Sequence, residues 1–93
     1  MQEIAIEIFF EKHSDGRYYI KSFDVPGLHL AGTDFTALQE DLDPAVKALL
    51  HYNLGFDVES IKWVPSPEDA RNMLDKPQPE GKATYIALVK AAA

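Results

Sequence analysis

The chain has 93 residues, 46% of them hydrophobic, enough for a single domain with one core that buries roughly 60–65% of the unfolded surface. It has no cysteine, which excludes disulfides and thiolate chemistry, and no run approaches the roughly 20 apolar residues of a membrane-spanning helix. Nine basic residues stand against fifteen acidic ones, a net charge of -6, which argues against autonomous nucleic-acid binding and suits either plain solubility or a basic protein partner.

The first run alternates. Ile4, Ile6, Ile8 and Phe10 share one face and Glu3, Ala5, Glu7 and Phe9 the other, a period of two that predicts a strand. Phe9 is the misfit on the polar face and can meet a neighbouring aromatic across a sheet. The opening also puts an acid where a signal peptide wants a base, so a cytoplasmic location is expected. A polar loop with Asp15-Gly16 leads to a second β-rich run, Arg17 to Phe23, and the two runs make an antiparallel hairpin. In Asp24-Val25-Pro26-Gly27, proline presets φ and glycine accepts the positive φ of a type II turn. A third short strand follows, with Leu28, Leu30 and Gly32 on one face and His29 and Ala31 on the other.

Thr33 or Asp34 can cap the next element through a side-chain oxygen. Phe35, Leu38, Leu42, Val46, Leu49 and Leu50 then form the apolar stripe of a helix, leaving Gln39, Glu40, Asp41, Asp43 and Lys47 to solvent. Pro44 predicts a kink, or a fresh helical start capped by Asp43. Asn53 or Gly55 supplies the left-handed stop. Phe56 to Val64 reads as a fourth strand whose imperfect alternation predicts a bulge or burial on both faces, with Trp63 in the core. Ser66-Pro67-Glu68-Asp69 opens a short helix packed through Ala70, Met73 and Leu74. After Pro77 and Pro79, Lys82 to Lys90 reads as a fifth strand, pairing either with the sheet edge or with another subunit, and the last three alanines read as a frayed end. The whole is one α+β domain over residues 1–93, an antiparallel sheet in the order βββαβ, short helix, strand, covered by helices on one face.

Arg17-Tyr18-Tyr19-Ile20, Ser22 with Asp24-Val25-Pro26-Gly27-Leu28, and Gly32-Thr33-Asp34 before an amphipathic helix resemble the N-terminal domain of HicB-type antitoxins. The resemblance covers about residues 1–64 and leaves 65–93 as an extension. It implies a partial RNase-H-like fold without catalysis, a protein-binding module that sequesters a HicA-like toxin, a small basic ribonuclease that cleaves messenger RNA. Many members of that family append a DNA-binding segment. This chain departs from the pattern after Val64, where no second long helix and no basic recognition face occurs.

No catalytic group is assigned. Glu3 and Glu7 read as solvated strand residues, and a residual nuclease reading would need them to converge with Asp24 on metal ions. His13, His29 and His51 lack metal-ligand spacing, and no phosphate loop or nucleophile elbow occurs, so no enzyme activity, metal or cofactor is expected. The candidate partner-binding residues are Tyr18, Tyr19, His29, Glu40, Asp41 and Asp43. Of the two tyrosines, the one facing out is the interface anchor, while the three acids form a complementary rim for a basic partner. The alternative to a toxin partner is a self-assembling α+β protein, a dimer or higher homo-oligomer, joined through its last strand.

Overall fold

Alternating apolar residues decide the centre of the sheet. In a computed structural model, which describes residues 1–91, Gln2–Lys12 is strand β1, with Ile6, Ile8 and Phe10 buried and Glu3, Ala5 and Glu7 exposed. A turn at Gly16, φ +86°, returns the chain as β2, Tyr18–Lys21, antiparallel to β1. β3, His29–Gly32, pairs with β2 and completes the expected meander. Phe23 falls outside the second strand, which stops at Lys21, and the residue is 83% exposed.

Helix α1, Phe35–Leu54, starts on Asp34, whose carboxylate accepts from the Ala37 N–H at 3.2 Å, and stops at Gly55 in the left-handed conformation, φ 68°. Leu38, Leu42, Val46 and Leu50 recur every four residues and lie buried against the sheet. Each contributes about 1.5–3 kcal/mol of hydrophobic stabilisation. Pro44 starts no fresh helix: α1 runs through it as one element, and Asp43 does not cap. The proline ring lies on the exposed side, where the Glu40 carbonyl that loses its helical donor can be solvated.

β4, Phe56–Val64, and β5, Gly81–Ala91, complete a five-stranded antiparallel sheet in the order β3-β2-β1-β5-β4. The predicted bulge in β4 is present, as a register shift between Val58 and Ser60. β5 lies between β1 and β4 within its own sheet, with Ala83, Tyr85, Ala87 and Val89 buried; a strand held on both sides has no edge to lend another subunit, which corrects that alternative. It is regular through Ala91, and the remaining two of the closing alanines, taken as frayed, lie outside the described residues.

Helix α2, Pro67–Arg71, has the predicted capping box of Ser66 and Asp69 but buries none of its residues. Met73 is 90% exposed at positive φ, Ala70 is exposed and Leu74 only half-buried, so the expected packing side does not form. Five helical residues amount to barely more than one turn, too short to present a stripe. Pro77 is buried instead. The chain is thus an α+β domain in which, among the described residues, α1 and not α2 supplies the helical side chains of the core, and Trp63 is a half-buried margin residue rather than a core one.

Candidate interaction surfaces

The Asp24-Val25-Pro26-Gly27 segment is a clasp between the sheet and α1. The ladder between β1 and β2 ends at Phe9 and Lys21, and side chains extend it by one step. The Ser22 hydroxyl donates to the Glu7 carbonyl at 2.6 Å, the Glu7 N–H donates to Asp24 Oδ2 at 2.8 Å, and the Asp24 N–H donates to Ser22 Oγ at 3.1 Å. Val25 then enters the core fully buried. Leu28 N–H closes the turn on the Val25 carbonyl at 3.0 Å, with Gly27 at φ +89°. A Cβ on Gly27 would meet Leu49 Cδ2 at 3.2 Å, and Asn53 Nδ2 donates to the Pro26 carbonyl at 2.9 Å. Every residue of the turn therefore has a folding task, and the turn ties the last turns of α1 to the meander.

Among the described residues no helix packs on the outer face of the sheet. There the Tyr19 ring lies 4.3 Å from the His13 ring and 6.0 Å from that of His29, and Phe9 meets Phe23 edge-on at 5.6 Å. Charges interleave with these rings: Glu11 pairs with Lys21 at 2.6 Å and with His13 at 3.2 Å, and Glu7 with Lys82 at 3.5 Å. The Lys21 ammonium, first, and the His13 ring hold the Glu11 carboxyl below its usual range.

The six residues proposed as partner-binding separate onto two sides. Tyr19 and His29 come together on the outer face. Tyr18 points inward, half-buried, its ring 5.4 Å from that of Phe35 at the start of α1. Glu40 and Asp41 are exposed on α1, on the far side of the molecule from the outer sheet face. Asp43 is half-buried on the same helix, and its charge adds to the burial that pushes the Tyr85 hydroxyl up to about 12. A partner lying flat on the sheet would not reach the three acids. His13, which meets Tyr19, and Phe23, which meets Phe9, were missed, although the out-of-phase position of Phe9 signals an aromatic contact on this face.

Among the described residues no group of three or more His, Asp or Glu side chains could hold a metal ion. Glu7 pairs with Lys82, and Asp24 is occupied by the Glu7 amide. A cleft of about 490 Å³ opens between the end of β4, α2 and the start of β5, walled in part by Trp63 and Pro77 and rimmed by Glu68, Glu80 and Lys82. Among the described residues no buried side-chain nitrogen or oxygen lacks a hydrogen-bond partner, so no polar group is held out of water for a ligand. Between the sheet's two edges the contrast is large. β3 offers four residues, while β4 offers nine, with no strand paired along its outer side among the described residues.

No family model, no curated protein and no solved structure matches the chain.

Proposed function

We propose that the chain is a non-catalytic protein-interaction domain that assembles with copies of itself through its sheet. The observation that carries this reading is the nine-residue strand at the sheet margin, whose outward N–H and C=O groups have no strand across from them among the described residues. An open edge of that length is a template for β-addition. Sedimentation of the wild-type chain over a concentration series should give a dimer or a higher homo-oligomer. A monomer throughout the series overturns the reading.

A second reading, sequestration of a small basic HicA-like toxin as the HicB resemblance implies, draws its support from a different surface. Tyr19, Phe9 and Phe23 are aromatic, at least partly exposed, and set on a sheet face that no helix covers among the described residues, in a chain of net charge -6. Aromatic anchors of this type dominate binding energies at protein interfaces. On this reading, co-expression with a small basic protein encoded beside this chain yields a stable complex. Tyr19→Ala then weakens it by at least about tenfold, the scale of a single anchor. Absence of a complex removes the toxin reading and leaves self-assembly untouched.

A further inference from the structure

The edge of β4 specifies its own partner. In a regular antiparallel ladder, residues directly opposite one another point to the same face. A regular strand pairing with its own copy about a two-fold axis must therefore match odd positions with odd and even with even. β4 does not allow this across its length, because the bulge at Glu59 inverts the alternation. Phe56 and Val58 lie opposite Ala91 and Val89 and point inward; beyond the bulge, Ile61 and Trp63 lie opposite Ala87 and Tyr85 and also point inward. Asp57, Ser60 and Lys62, opposite Lys90, Leu88 and Ile86, point outward. The extra residue, Glu59, points outward too, to the Lys90 ammonium at 3.2 Å.

From this parity we infer that two copies of the chain join edge to edge through β4, antiparallel about a two-fold axis, in the register that sets Phe56 opposite Trp63, Asp57 opposite Lys62, Val58 opposite Ile61 and Glu59 opposite Ser60. The inference rests on the self-assembly reading and names its seam. In this register, inward residues meet inward residues and outward meet outward on both sides of the bulge. Sliding either strand by one residue pairs an inward side chain with an outward one, which the pleat forbids. A bulge commonly blunts an edge against any partner; here the matching bulge of a second copy accommodates it.

The chemistry of the matched pairs is complementary. Asp57 faces Lys62, and the two-fold repeats the pair, so the outer side of the seam carries two opposite-charge contacts. Among the described residues Lys62 takes part in no ion pair, and Asp57 meets only His51, at 3.2 Å. The inner side of the seam is apolar, Phe56 with Trp63 and Val58 with Ile61, all four half-buried at the margin of the core. The last turn of α1, directly before β4, leaves Tyr52 84% and Leu54 54% exposed, apolar surface adjoining the start of the same strand.

The absence of cysteine allows a test of register. Asp57→Cys and Lys62→Cys are prepared as separate proteins, and each is oxidised alone and as an equimolar mixture. The mixture should yield a cross-linked dimer joining one chain of each kind, and neither protein alone should. A wild-type chain that is dimeric while the mixture fails to cross-link, or either variant cross-linking to itself, overturns the seam and leaves self-assembly standing. A monomeric wild-type chain overturns both. Independently, Lys62→Glu places like charges across the seam and should weaken dimerisation at least about tenfold, with Asp57→Lys added to it restoring most of the loss. Circular dichroism of each variant shows whether the fold is retained, and folded variants whose dimerisation equals that of the wild type overturn the inference.

Discussion

Asp24 shows how much one exposed side chain can organise. Its carboxylate accepts the Glu7 amide at 2.8 Å, and its own amide donates to Ser22, which reaches back to the Glu7 carbonyl. These three bonds carry the pairing of β1 and β2 past the last residue of β2, at the point where Val25 enters the core. Asp24→Ala leaves the Glu7 amide without its acceptor, at a cost of about 1–2 kcal/mol. In a domain of this size that lowers the melting temperature by roughly 5–15 °C. Thermal unfolding followed by circular dichroism checks it, and an unchanged midpoint contradicts the clasp. The turn itself was legible from Pro26-Gly27, because proline and glycine act through their own φ. The service of Asp24 to β1 was not, because its partner lies seventeen positions away and no local pattern records it. The tetrapeptide that underlies the HicB resemblance is thus accounted for by folding alone.

At the scale of elements, α1 resolves a conflict between pattern and propensity. Its stripe of Leu38, Leu42, Val46 and Leu50 continues on both sides of Pro44, and burying it outweighs the local cost of the proline. The sequence predicts a kink or a fresh start at Pro44, since nothing in the local pattern records that the ring lies on the solvent side. Proline in a helix interior costs about 3 kcal/mol relative to alanine. Part of that is offset, since proline also restricts the unfolded chain by about 0.4–1 kcal/mol. Pro44→Ala should therefore stabilise the domain by about 2–2.6 kcal/mol, measured as a higher denaturation midpoint at unchanged slope. A lower midpoint would mean that α1 depends on the proline for its course over the sheet. The short helix α2 errs in the opposite direction: its capping box was plain from Ser66 to Asp69, but a cap says where a helix begins and nothing about what it packs on. The bulge in β4 was legible as broken alternation; that β4 would be an edge was not, since strand order depends on pairings between distant segments.

Across the whole molecule, the two ends of the chain meet. β1 and β5 lie side by side, Gln2 opposite Val89 and Phe10 opposite Gly81, so the first strand made and the last form the middle of the sheet. Among the described residues β4 has no other strand neighbour and is joined to the rest of the sheet through β5. Removing the C-terminal strand is therefore not the removal of an appendage. It takes Ala83, Tyr85, Ala87 and Val89 out of the core, exposes one side of the β1 backbone, and detaches β4. Losing these buried side chains and two ladders exceeds the 5–15 kcal/mol by which a domain of this kind is stable. A chain ending at Glu80 should show no cooperative thermal transition. Adding a peptide of residues 81–91 should restore one, because the missing strand has a slot with a partner on each side. A truncated chain that still unfolds cooperatively, with the spectrum of the intact protein, would mean that the N-terminal meander and α1 form a core of their own.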